Sequence, residues 1–270
     1  MWELPVLLPL KNERGDYCCD ILLLCACQVE TYYFLGKFDY DKNKFYKFHD
    51  KPQLIDIGNG TFTGPSGFVT PDGRSVVFTI AQGKRKPDDE YNSGWAHNGG
   101  MPVELSIKEN ELRVEPIKEV RKYFTDCLFS QEIGSDELNR PVLLGDNLLQ
   151  NRVFVTTQGD YLELCMEWKD DAYIVSYHRT TKEWKAISRL SGKMIGKIRD
   201  EQDLVDIGQE EVRIECFVDH SMLEFYLNGK KSISLRSYPF CEGNQCFVKM
   251  DGIGNVSVWE YEKNANSFLT

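Results

Sequence analysis

The sequence predicts a chain that is nearly all β. Short apolar or alternating runs, bounded by Gly, Pro, Asn and Asp, recur along its whole length, and helical periodicity is scarce. Asn228-Gly229 follows one such run and is the strongest two-residue turn signal between strands, because both positions tolerate positive φ. At 270 residues, with 41% hydrophobic and 27% charged residues, the chain has ordinary globular composition and length for one large domain or two of usual size. A disordered, collagenous or disulfide-scaffold chain is excluded.

Taken in order, the candidate strands of the first half are 17–28, 31–35, 44–48, 67–70, 75–81 and 103–107. Gly36-Lys37, Pro71-Asp72-Gly73 and Asn98-Gly99-Gly100 supply turn chemistry near their ends. Residues 117–124 place Ile117, Val120 and Phe124 on one helical face, and this short helix opens a linker spanning 117–134. Beyond it, Leu162, Leu164, Met166 and Trp168 alternate with polar neighbours, as do Val212, Ile214, Cys216 and Val218. Leu223, Phe225 and Leu227 lead into the Asn228-Gly229 turn, and Val256 and Val258 close the pattern. Many short strands with tight turns predict a sandwich over 135–270.

The net charge of −10 opposes phosphate backbones and anionic lipid, so neither nucleic acid nor a membrane surface is expected as a partner. The apolar run 21–27 is far shorter than the ~20 residues of a spanning helix. Glu3 near the start, with no early Lys or Arg, does not read as a secretory signal. Nine cysteines, an odd count with Cys18 and Cys19 adjacent, favour a reducing compartment, and a cytoplasmic location is the expectation. Cys25 and Cys27 share a strand face without a third ligand at metal-site spacing, and core thiols explain them better. No metal is expected. His97 and His220 join no His/Asp/Ser arrangement, and no Gly-rich phosphate loop opens a helix, so no cofactor is expected. The acidic run Asp88-Asp89-Glu90 reads as a solvated loop tip.

Four stretches then resemble one family. Phe217-Val-Asp-His-Ser-Met-Leu-Glu-Phe-Tyr-Leu-Asn-Gly229 resembles the Asp-Arg-Ser-x-x-Glu-x-Phe-x-Asn-x-Gly signature of the C-terminal sandwich of glycoside hydrolase family 32, the invertases, levanases, inulinases and sucrose-6-phosphate hydrolases. Gly94-Trp-Ala-His-Asn-Gly-Gly-Met-Pro-Val-Glu-Leu105 is similar to the Gly-Trp-Ala-Gly…Pro-Arg-Glu-Leu run of that family's five-bladed β-propeller. Asp72-Gly73-Arg74 fits the preceding blade, and Trp2-Glu3-x-Pro5 resembles the Trp-Glu-Cys-Pro motif that carries the general acid/base. The resemblance implies a partial, back-half propeller over 1–116 followed by a sandwich. It also implies a β-fructofuranosidase-type hydrolase of sucrose or β-fructans.

Two further family motifs, Asn-Asp-Pro with the nucleophile and Arg-Asp-Pro with the transition-state stabiliser, are absent from this sequence. Retaining glycoside hydrolysis uses a pair of carboxyl groups about 5 Å apart. Glu3 supplies one, as candidate acid/base, so the chain alone is expected to be inactive. The alternative is a non-catalytic carbohydrate-binding remnant or subunit.

For substrate binding, the resemblance implies Asp56 as acceptor for sugar hydroxyls, with the competing role of fixing a Gly-rich turn; Asn59 suits the turn. Trp95 and Phe62 are candidate platforms for a sugar C–H face, although blade aromatics are more often core. The Phe78-Thr79-Ile80 region stands where the family has a pocket Trp, and Val103 where it has Arg. Asp219 and Glu224 match the sandwich signature and read as structural. An incomplete propeller would expose a blade face, that of Ile21, Leu23 and Cys25, for a complementing N-terminal chain or for self-association.

Overall fold

The computed structural model describes residues 2–26, 30–58, 60–134, 140–197, 204–238 and 243–262. Cys27 and Asn59 lie outside the described residues. The chain divides into two compact units, Met1–Ile117 with Gly229–Arg236, and Lys118–Asn228 with Ser237–Thr270. No helix among the described residues is long and apolar enough to cross a membrane.

The first unit opens with an antiparallel meander, β1 (Trp2–Lys11), β2 (Tyr17–Ala26), β3 (Thr31–Asp39) and β4 (Lys44–Lys47), with β5 (Gln53–Leu54) beside β3. The Asn12 carboxamide makes the first turn, accepting from the backbone N–H of Arg14 and of Asp16 at 2.9 Å. A second sheet follows from β6 (Phe62–Val69), β7 (Ser75–Ala81), β8 (Asn98–Gly99), β9 (Val103–Lys108) and β10 (Glu111–Pro116). Its order is β10-β9-β7-β6, with β8 extending the pairing of β7. At the β6–β7 turn Gly73 takes φ 83° and donates its N–H to the Thr70 carbonyl at 2.8 Å, while the Thr70 N–H donates to the Arg74 carbonyl and the Arg74 N–H to the Thr70 hydroxyl, both at 2.9 Å. Asp88, Asp89 and Glu90 are not a loop tip: they form the first turn of α1 (Pro87–Ser93), where carboxylates complement the positive end of the helix dipole.

The two sheets of this unit pack face to face. Leu8, Leu10, Ile21 and Leu23 point between them and are buried. The contact is close because Gly67 of β6 has no side chain: a Cβ there would lie 2.8 Å from the methyls of Val6 and Leu8. This corrects the expected exposed face, since Ile21, Leu23 and Cys25 are covered. It is the alternate residues of the same strands that face outward. Trp2, 55% exposed, stacks on Phe34 at 5.7 Å on the outer side of the first sheet. Phe68 and Phe78, 47% and 44% exposed, stack at 6.0 Å on the outer side of the second.

The strand β20 (Lys231–Arg236) also belongs to this unit. Asn228 and Gly229, at φ 49° and 65°, make the tight turn before it. Ile57 then bonds to the Ser232 carbonyl at 3.0 Å, and the Lys231 ammonium donates to the Leu54 carbonyl at 2.6 Å.

The second unit starts with α2 (Lys118–Arg121), four residues rather than the eight expected, because β11 (Phe124–Ile133) is already extended and paired with β22 (Gly254–Tyr261). What read as linker is therefore mostly strand. One sheet runs β11-β22-β13-β18-β19, with β13 (Gln150–Thr157), β18 (Val212–Asp219) and β19 (Met222–Leu227). The other is six-stranded: β12 (Val142–Asp146), β21 (Gln245–Met250), β14 (Tyr161–Trp168), β15 (Asp171–His178), β16 (Glu183–Ser188) and β17 (Met194–Lys197), in the order β12-β21-β14-β15-β16-β17. The second sheet buries one set of alternating side chains, with Leu162, Leu164, Met166 and Trp184 among them, whereas in the first Val153, Val155, Ile214 and Cys216 are buried and β18 and β19 are covered on both faces. Where the sequence departs from apolar alternation, an ion triad compensates. Glu215, buried, is held by Arg121 at 2.7 Å and Arg152 at 2.6 Å, and Arg152 stacks on Trp259 at 4.6 Å.

Candidate active site

Glu3 lies in β1 opposite Cys25 of β2. The pairing slips between Glu3 and Val6, and Leu4 takes φ 52°, an irregularity that re-aims the side chains at the start of the strand. Glu3 itself is exposed. Beside it, Cys25 is buried among polar neighbours: its sulfur lies 3.5 Å from the Thr63 hydroxyl and accepts from the Gly64 N–H at 3.2 Å. Trp2 walls a shallow apolar hollow of about 290 Å3 with Leu24, Ala26, Tyr32 and Pro52. The described residues leave Glu3 open to water.

Asp56 is buried and fully engaged. It accepts from the hydroxyls of Ser232 at 2.6 Å and Ser234 at 2.8 Å, from the Gly58 N–H at 2.8 Å and from the Ser234 N–H at 3.3 Å. Burial raises its pKa, and those hydrogen bonds oppose the rise. The carboxylate thus fixes the Gly58 turn and ties it to β20. Gly58 is required there, because a Cβ would lie 2.1 Å from the Ser234 carbonyl oxygen. The sequence held no sign of this partner, since Ser232 and Ser234 lie far away along the chain.

Phe62 is 3% exposed and packs in the core, so it offers no face to a sugar; this corrects its reading as a platform. Its carbonyl instead accepts from the Thr31 hydroxyl at 3.1 Å. Trp95, 43% exposed, carries the Arg85 guanidinium 4.1 Å above its ring, with Arg236 at 5.7 Å. His97 accepts from the Gly83 N–H through Nδ1 at 2.9 Å, a structural bond. Val103 is buried, whereas Phe78 and Ile80 point outward. Glu3, Asp56 and Trp95 share no hydrogen bond or ring contact. Glu224 is buried in β19, and Asp219 ends β18 opposite Met222. The triad around Glu215 was missed by sequence reasoning; its one signal was a carboxylate inside an apolar strand.

A first unit of two packed antiparallel sheets and a second unit that is a β-sandwich define an all-β, two-unit class of fold. Residues 1–116 match the Glycosyl hydrolases family 32 N-terminal domain and residues 167–260 match the Glycosyl hydrolases family 32 C terminal domain. The chain belongs to glycoside hydrolase family 32. Its structure is similar to that of a family 32 β-fructofuranosidase from Bombyx mori, at 20% identity and TM-score 0.72, covering 97% of this chain and 54% of that one. Fructan 1-exohydrolase IIa from Cichorium intybus matches at 18% identity and TM-score 0.72, with coverages of 97% and 62%. Sucrose-6-phosphate hydrolase from Lactobacillus gasseri matches at 15% and 0.73, with coverages of 97% and 55%. This chain therefore spans little more than half the length of these solved relatives. No curated protein sequence matches it.

Proposed function

We propose that this chain is part of a β-fructofuranosidase-type hydrolase acting on sucrose or β-fructans, with Glu3 as the acid/base. The observation that carries the reading is the match to both domains of family 32, with Trp2-Glu3-x-Pro5 inside the first. Relatives of this fold have been solved with sucrose and with 1-kestose. In a retaining mechanism one carboxylate attacks the anomeric carbon while the other protonates the departing glycosidic oxygen. Glu3 takes the second role. The sequence contains neither Asn-Asp-Pro nor Arg-Asp-Pro, so in this reading the nucleophile and the stabiliser are supplied from outside these 270 residues.

The second reading is a non-catalytic carbohydrate-binding remnant or subunit, and the exposure of Glu3 with the full engagement of Asp56 favours it. Fructose release from sucrose and inulin by the purified chain separates the possibilities. Little or none is expected, about 10⁴-fold or more below a two-carboxylate enzyme. Robust release that Glu3→Gln abolishes would overturn the need for a complementing chain. Release restored by adding a polypeptide with both motifs supports the first reading; sugar binding without restoration supports the second.

A further inference from the structure

The outward face of the six-stranded sheet in the second unit breaks the rule that a solvent face is polar. Following the cross-strand partners from one edge to the other, Leu143 faces Phe247, Phe247 faces Cys165, Cys165 faces Ile174, Ile174 faces Ile187, and Ile187 faces Met194. One apolar side chain from every strand thus forms a continuous row across the sheet. None of the six is buried. Cys165 belongs to this floor chemically, since its partial burial pushes its thiol up to about 11 and keeps it neutral.

Over β21, β14 and β16 the row is one residue wide, whereas β15 carries the buried Ala172 and Ser176 at the flanking positions. Two positions along the strands on one side stand Glu163, Lys249 and Lys185; on the other stand Glu167, Gln245 and Arg189. At ~3.3 Å per residue the polar banks lie ~7 Å either side of the floor, and five strand spacings make the row ~24 Å long. At its centre is a real concavity of about 320 Å3, floored by Cys165, Ile174 and Phe247 and rimmed by Glu163, Glu167, Arg189 and Lys249. The Arg189 guanidinium already reaches the Glu167 carboxylate at 3.2 Å and Tyr161 donates to Glu163, yet each carboxylate keeps acceptor capacity.

A narrow apolar floor between hydrogen-bonding banks does not suit a flat protein face, which needs a broad apolar centre. It suits a single extended chain whose ring faces are C–H and whose edges are hydroxyls. We propose that this groove is a binding site for a linear oligosaccharide, a fructan chain of several residues, separate from the Glu3 site. The substrate class rests on the family 32 reading above; the groove rests on its own geometry.

Native gels of the full chain containing inulin or levan test it, with Phe247→Ser and Ile174→Ser as variants. Both side chains point outward, so both variants are expected to keep the parent's melting profile. Wild type is expected to be retarded, and each variant to need roughly tenfold more polymer for the same retardation, while Glu3→Gln behaves as wild type. Retardation unaffected by both variants overturns the groove. Loss with Glu3→Gln or Trp95→Ala alone also overturns it, placing binding in the first unit and leaving the hydrolase reading intact. No retardation of wild type overturns the groove, and sucrose binding by calorimetry then decides separately on the reading it rests on. Concentration-dependent self-association removed by Phe247→Ser, without sugar retardation, would instead make the face a protein interface.

Discussion

Ser234 holds Asp56 twice, its hydroxyl donating to Oδ2 at 2.8 Å and its backbone N–H to Oδ1 at 3.3 Å. With Ser232 and Gly58, these bonds make one carboxylate the clasp between the loop after β5 and a strand that arrives at the other end of the sequence. Removing it with Asp56→Ala leaves two hydroxyls and two N–H groups buried without an acceptor. A loss of about 2–4 kcal/mol is expected in denaturant unfolding. The pH dependence has a definite sign. Burial raises the folded pKa of Asp56 above its unfolded value, so its stabilising share is complete below the unfolded pKa and is lost as pH rises through the folded pKa. Asp56→Asn has no such titration. Its stability relative to wild type should therefore improve as pH climbs from below 4 towards neutrality, and melting curves across that range check it.

The Glu215 triad titrates the opposite way. Burial alone would raise the carboxyl pKa, but Arg121 and Arg152 outweigh it and leave the pKa lowered. The stability it contributes is present above the unfolded pKa and disappears as pH falls through the folded one. Glu215→Gln should cost about 3 kcal/mol at pH 7, because two partly buried guanidinium groups lose their counter-charge. Unfolding measured at pH 7 and again near pH 3 should show the gap to wild type closing.

How much of this was legible in the sequence depends on the strand. The run from Leu162 to Trp168 shows clean alternation because only one face of β14 is buried, and period two then reports the face directly. Ile21-Leu22-Leu23-Leu24 is apolar on both faces, so periodicity does not report which set faces inward. The strand β11 was hidden for the opposite reason: most of its residues are exposed and half are polar, and only pairing with β22 makes it a strand. Of the site residues, Glu3 and Trp95 could be singled out by motif. The burial of Phe62 and the clasp on Asp56 could not, since each depends on residues remote in sequence.

Phe62 and Trp95 should separate cleanly on substitution. Phe62→Ala empties a core position, with an expected cost of about 3–5 kcal/mol. Trp95→Ala loses a half-exposed ring and its contact with the Arg85 guanidinium, worth about 1 kcal/mol or less. Equal losses in chemical unfolding would show that Trp95 is packed as core and is no candidate for a ligand platform.

The outer faces of the first unit carry the last expectation. Phe68, Phe78 and Ile80 lie together on adjacent strands, each more than two-fifths exposed, while the opposite face of β7 buries Val77. A strand apolar on both faces is built to be covered on both faces. The outer side of the first sheet has the same character at Trp2 and Phe34. Exposed patches of this kind drive association. The purified chain should therefore sediment as self-associated species whose proportion rises with concentration. Phe68→Lys with Phe78→Lys should shift it towards monomer without lowering its melting temperature, because neither ring reaches the core. A wild-type chain that stays monomeric at high concentration in sedimentation equilibrium would show that these faces tolerate water unaided, and would remove the case for a complementing partner.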